Sequence, residues 1–202
     1  MKSQKENLIK KLTDGWGDEN LIQTKEREYI DNYFLSDEDY NNNWISLQNE
    51  VFDRNSKYLP DLMFNREFHL FIQTGGLLFY ESHFNKLKEC MIQTGDHYFV
   101  VIENAPLSET TFKFKYPSSI SWHELMDGGN ITNDIYKRPI RDFFVYGNTA
   151  LWGKYLSDLF SVNIIGCKKE FISLFKTQFP LSESEREKVL EFLPMAYRPF
   201  ID

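Results

Sequence analysis

The sequence predicts an α+β fold: a mainly antiparallel sheet with an N-terminal helical segment and C-terminal helices. Three observations carry this. Before about position 58, apolar residues recur at helical spacing. Between 66 and 165, short apolar runs alternate or follow one another closely, with glycine pairs between some of them. Two helix-start signatures, Ser121 with Glu124 and Ser182 with Glu185, insert helices among and after those runs. The 202 residues fit one domain, 1–202, with an acidic helical segment over 1–58 and an α+β core over 59–202.

The elements follow in order. Residues 3–12 form a short helix with Leu8, Ile9 and Leu12 on one side, stopped by Gly15-Trp16-Gly17. Residues 25–34 form a second, with Tyr29, Ile30, Tyr33 and Phe34 on its apolar face. Ser36 caps a third. Asp37, Glu38 and Asp39 fill its first turn, where the helix dipole favours negative charge. Tyr40, Trp44, Leu47 and Val51 continue it as a helical stripe.

Phe68, Leu70 and Ile72 alternate in a strand over 66–73. Gly75-Gly76 then turns the chain so that Leu77–Tyr80 pairs back as a hairpin. Ser82 opens a helix with Phe84, Leu87 and Met91 inward, ended by Gly95. Strands follow over 97–102 and 112–116, then the short helix of Ser121 and Glu124, stopped by Gly128-Gly129. Strands over 143–146, 154–157 and 162–165 precede a helix over 169–179 with Phe171, Leu174 and Phe175 inward. The last helix runs from Ser182 to about 193.

Aromatics make up 16% of the chain, with 18 Phe against three Ala, at 105, 150 and 196. A core of large rings follows, with some rings left at the surface as contacts. Cys90 and Cys167 lie in apolar contexts and read as buried free thiols of a reducing compartment. Residues 1–7 lack the apolar stretch of a signal peptide, and no apolar run approaches spanning length, so the expected address is the cytoplasm.

Charge is unevenly spread. Residues 14–53 hold eleven acids and two bases, a local charge of −9 against −7 for the whole chain. Such a field repels nucleic acid and anionic membrane and attracts a basic partner. Trp16, Tyr29, Tyr33, Tyr40 and Trp44 share that stretch, and rings beside charge are what interface hot spots use.

No catalytic motif stands beside it. His69, His83, His97 and His123 have nearby acids, as in Glu67-x-His69 and His123-Glu124, but match no metal-ligand spacing. Cys167 precedes a helix and Lys168-Lys169, a setting that lowers a thiol pKa, yet Ile164-Ile165 marks a buried structural cysteine. The glycine pairs fit neither phosphate-loop pattern. Lys113 and Lys115 alternate around Phe114, and with Lys137, Arg138, Arg141, Lys154, Lys168 and Lys169 they read as solvated strand edges. No catalytic residue, metal or cofactor is assigned.

The segment Phe143-Phe144-Val145-Tyr146-Gly147-Asn148-Thr149-Ala150-Leu151-Trp152-Gly153-Lys154-Tyr155, running on to Ile164-Ile165-Gly166-Cys167, resembles bacterial immunity-type proteins of polymorphic toxin systems. An aromatic strand ends in a Gly-polar turn, Trp-Gly opens the next strand, and an apolar strand ending in Gly leads to a helix. The likeness covers about an eighth of the chain and implies a non-enzymatic binder that blocks a toxin domain, often a nuclease. The expectation is therefore an immunity-type inhibitor that occludes a basic protein partner. Its contact residues are Asp31, Asp37, Glu38, Asp39, Tyr40 and Trp44, presented together as one acidic face. The alternatives are a small hydrolase using Cys167 or a histidine-bound metal, and a peptide-binding regulatory adaptor.

Overall fold

The computed structural model describes residues 4–16, 24–105, 111–133, 136, 141–192, 195 and 197. The fold is α+β, built on six strands: β1 (Phe68–Thr74), β2 (Tyr98–Glu103), β3 (Lys113–Pro117), β4 (Phe143–Gly147), β5 (Trp152–Ser157) and β6 (Val162–Lys168). They form one sheet in the order β1-β6-β5-β4-β2-β3, and every neighbouring pair is antiparallel. The helices that precede β1 are α1 (Gln4–Trp16), α2 (Thr24–Tyr33), α3 (Asp37–Asp39) and α4 (Ile45–Val51). Between strands lie α5 (Glu81–Thr94), α6 (Trp122–Leu125) and α7 (Asn130–Thr132). After β6 come α8 (Ile172–Gln178) and α9 (Glu183–Phe192). Among the described residues no helix is long and apolar enough to cross a membrane.

Both faces of the sheet are covered. Phe71, Phe99, Val101, Val145 and Trp152 pack on one layer with Leu8, Ile30, Phe84 and Phe175 of α1, α2, α5 and α8. Leu70, Ile72, Val100, Tyr146 and Ile164 pack on the other with Trp44, Val51, Phe52 and Phe64. A sheet covered twice needs apolar residues on both sides, so β4 and β5 are buried throughout instead of alternating.

The third helix has three parts: α3, a π-helical turn over Tyr40–Trp44, and α4. Ser36 caps it as expected, accepting from the Asp39 N–H at 3.1 Å. The Ser121–Glu124 capping box is present in both directions. In the Ser182–Glu185 signature, the Glu185 side chain lies outside the described residues.

The expected hairpin over Leu77–Tyr80 is a correction. That segment forms no strand, and β1 pairs with β6. Asn163 Nδ2 donates to the carbonyls of Gly75 and Leu77, and Lys154 Nζ to that of Leu78. These side chains fasten the segment to the sheet face and lead it into α5, whose N-cap is Tyr80, not Ser82.

The 143–167 segment forms β4, β5 and β6, and its glycines have packing reasons. Gly153 and Gly166 face each other in register across β5 and β6. A Cβ at Gly166 would stand 2.5 Å from the Phe64 ring, and one at Gly153 would strike Val51 and Phe52. Gly147 lies against buried Asp96. The Asp96 carboxylate accepts from Thr94 Oγ1 (2.6 Å), Thr149 N and Oγ1 (both 2.8 Å) and Trp152 Nε1 (2.7 Å). The Gly-Asn-Thr turn and the tryptophan are thus held by one carboxylate.

Candidate functional site

The six residues expected to form an acidic face are placed as follows. Asp31, exposed on α2, pairs with Lys5 Nζ at 2.6 Å. Asp37 is clamped by Gln4, whose Nε2 donates to Oδ2 at 2.5 Å and whose Oε1 accepts from the Asp37 N–H at 3.0 Å. Its Oδ1 holds Lys113 Nζ at 2.5 Å. Asp39 holds Lys115 at 3.4 Å and accepts from Asn43 Nδ2 at 2.6 Å. Glu38 is exposed and has no ion-pair partner among the described residues. Three of the four carboxylates are therefore paired with lysines of this same chain, while Asp31 and Asp37 stay open to solvent.

The aromatic pair turns inward. Tyr40 is half-buried, with its hydroxyl on Gln48 Oε1 at 2.8 Å and Lys113 Nζ 5.7 Å from its ring centre. Burial pushes its hydroxyl pKa up to about 12. Trp44 is buried against Tyr146, at 6.0 Å between ring centres. A buried ring supports the site from beneath and is not itself a surface contact.

The pairing has a simple geometric origin. Lys113 and Lys115 are two apart on edge strand β3, so their side chains leave the same face about 6.6 Å apart. Asp37 and Asp39 are two apart in the first helical turn, and the two short repeats meet. The Leu35 N–H donates to the Lys113 carbonyl at 2.9 Å, docking the acidic segment on the strand edge. The lysines of β3 are on an edge as expected, but that edge is covered. Lys154 departs further: it stands mid-sheet on β5 and is buried. Lys137 and Arg138 lie outside the described residues.

Where this segment meets the ends of β2 and β4 there is a cleft of about 560 Å³, within the range of ligand sites. Phe34, Tyr40, Ile102 and Phe144 supply apolar wall, and Gln4, Asn7, Asn41, Gln48 and Asn104 supply amides. Its charged groups are Asp37, Glu103 and Lys113. Glu103 is buried, yet its carboxylate meets Arg141 at 2.6 Å, Lys11 at 3.1 Å and the Phe112 N–H at 2.8 Å. Such a charge is tolerated because its oxygens are fully paired. Of the six expected residues only Asp37 and Tyr40 line this cleft. Gln48, Glu103 and Asn104 were not singled out by the sequence, since nothing local marks residues drawn from distant elements.

The other candidate chemistry comes together at one pair and no metal-holding group. His69 and Cys167 are register partners on β1 and β6 and share a face of the sheet. Cys167 is fully buried in the ring-rich layer that includes Phe71 and Phe175. Cys90 is also buried, and burial pushes its thiol up to about 12. Burial and the nearby Lys154 and Lys86 charges lower the His83 pKa. Among the described residues no group of three His, Cys, Asp or Glu side chains is placed to hold a metal ion. Comparison with known protein families, curated proteins and solved structures finds no match to this chain.

Proposed function

We propose that this chain is a non-enzymatic binding protein of the immunity type, which inhibits a toxin domain by covering it. The observation that carries the reading is the cleft, where aromatic wall, amides and self-paired charges meet on a covered, stiff sheet. The resemblance of residues 143–167 to immunity-type proteins supports the same reading. The mechanism differs from occlusion by a free acidic face. With Asp31, Asp37 and Asp39 already holding Lys5, Lys113 and Lys115, shape and hydrogen bonding at the cleft carry the contact.

The test is inhibition. The purified chain is mixed in increasing amounts with the toxin domain encoded by the adjoining gene, and toxin activity is followed. Loss of activity at equimolar chain, with a 1:1 complex on size exclusion, is expected. Undiminished activity and no complex would refute the proposal.

A further inference from the structure

We propose that the sheet end carrying the cleft takes an uncharged, extended segment of the partner protein, with apolar side chains seated on Tyr58, Leu159 and Phe160. This rests on the binding reading above and names what that binding recognises.

The first observation is how the charges are already spent. The Asp37 carboxylate holds Gln4 and Lys113, and Glu103 holds Lys11, Arg141 and the Phe112 N–H. Lys113 also donates to Thr111 Oγ1 at 2.6 Å. An incoming cation finds no free carboxylate inside the cleft and must displace one of the chain's own cations. The groups left over are neutral. Gln48 accepts from both Tyr40 and Tyr146 at Oε1, and its Nε2 has no partner among the described residues. The exposed amides of Asn7 and Asn41 have none there either. Amide donors and acceptors between apolar walls match the carbonyls and N–H groups of a peptide backbone.

The second observation is what else stands at this end of the sheet. The antiparallel register brings the end of β2, the start of β4, the end of β5 and the start of β6 together. Asn104, in the cleft wall, donates from Nδ2 to the Lys57 carbonyl at 2.5 Å and from its N–H to the Asp142 carbonyl at 2.8 Å. Asp142 in turn accepts from the Asp158 N–H at 2.9 Å. Bonds thus run from the cleft to Lys57, the neighbour of Tyr58, on one side and to the β5–β6 turn on the other. Tyr58 is 61% exposed, Leu159 82% and Phe160 40%.

The turn is held firmly in that pose. The Ser161 N–H donates to the Asp158 carbonyl at 3.0 Å, and the Ser161 carbonyl accepts from the Gly75 N–H at 2.9 Å. A braced turn that keeps Leu and Phe in water is an unfavourable arrangement for a free protein and a favourable one for an anchor. Strands stand about 4.8 Å apart, so the turn lies about 10 Å from the end of β2, well within one standard interface of about 800 Å² per partner.

The experiment is calorimetric titration of the full chain with the adjoining-gene toxin domain at 150 and 500 mM NaCl. Wild type, the double variant Leu159→Ser with Phe160→Ser, and Tyr58→Ser are compared, with circular dichroism as the folding check. We expect the double variant to bind about thirtyfold more weakly and Tyr58→Ser about tenfold, both folded. Wild-type affinity should change by less than about threefold between the two salts. If the double variant fails to fold, Tyr58→Ser and the salt series decide. Wild-type affinity that falls more than about tenfold with salt, while the variants bind normally, overturns this inference and leaves the binding reading standing. A wild-type dimer by light scattering that the double variant dissociates, with toxin binding unaffected, makes the occupant a second copy and also overturns it. Absence of any toxin binding removes the underlying reading itself.

Discussion

Lys154 is the group whose replacement the structure predicts most sharply. It is 2% exposed, in the middle of the sheet, with Nζ donating to the Leu78 carbonyl at 2.5 Å and lying 5.1 Å from the centre of the Phe79 ring. Burial lowers its pKa from 10.5 to about 7. At ~1.4 kcal/mol per pH unit, that gap is worth about 5 kcal/mol. The sign follows from which state binds the proton. Below about pH 7 both states carry the charge, and the folded state bears the full cost of burying it. Between 7 and 10.5 the unfolded chain stays protonated while the folded one does not, so stability rises with pH. Lys154→Met removes the cost but leaves the Leu78 carbonyl unpaired, a loss of about 1–3 kcal/mol. The variant should therefore be more stable at pH 7 by about 2–4 kcal/mol. Urea unfolding at pH 7, 7.5, 8 and 8.5 is the assay. The wild-type midpoint should climb relative to the variant, narrowing the gap by about 1.4 kcal/mol per pH unit. Cysteine and tyrosine ionisation is common to both proteins and cancels in the difference. Parallel curves, or a variant less stable at pH 7, would refute the reasoning.

Other outcomes follow from the packing. Gly166→Ala drives a methyl into Phe64 and should cost about 1–3 kcal/mol in urea unfolding; an unchanged midpoint would show that the ring has room to move. Asp96→Asn turns an amide N–H toward donors that now meet carboxylate oxygen. A loss of about 2–3 kcal/mol and a shifted tryptophan emission from Trp152 are expected, and wild-type values for both would count against the Asp96 hub. Tyr116→Phe breaks a buried hydroxyl chain from Tyr136 through Tyr116 to Tyr29 and on to the Leu125 carbonyl. It should lower stability by about 1–2 kcal/mol, and thermal unfolding at the wild-type temperature would contradict that.

The fold class was legible because helical stripes, period-two runs and capping boxes are local signals. Trp44 and Val51 are buried as their stripe requires, and Ser121 with Glu124 closes its box. What was not legible depends on partners far along the chain. Leu77–Tyr80 has the composition of a strand, but its burial comes from lying across the sheet under Asn163 and Lys154. Lysine in a strand is most often solvated, so Lys154 gave no sign of its burial. The acids of 37–39 and the lysines of 113–115 each read as surface charge, and only the docking of Leu35 on β3 brings them together. The Leu159-Phe160 pair did leave a trace: two large apolar residues occupy a strand-to-strand turn where polar residues are usual. Asp96, beside the helix-stopping Gly95, carried no local sign of its role, because three of its four donors lie on Thr149 and Trp152, far along the chain.

Hydrogen exchange of the chain, alone and with the toxin domain proposed as its partner, tests the central claim most directly. A docking face at the cleft end of the sheet predicts slowed exchange over residues 34–48, 57–59, 102–105 and 157–161 in the complex. Protection confined to the opposite end, around Glu67, Tyr98, Pro117 and Asn148, would contradict it.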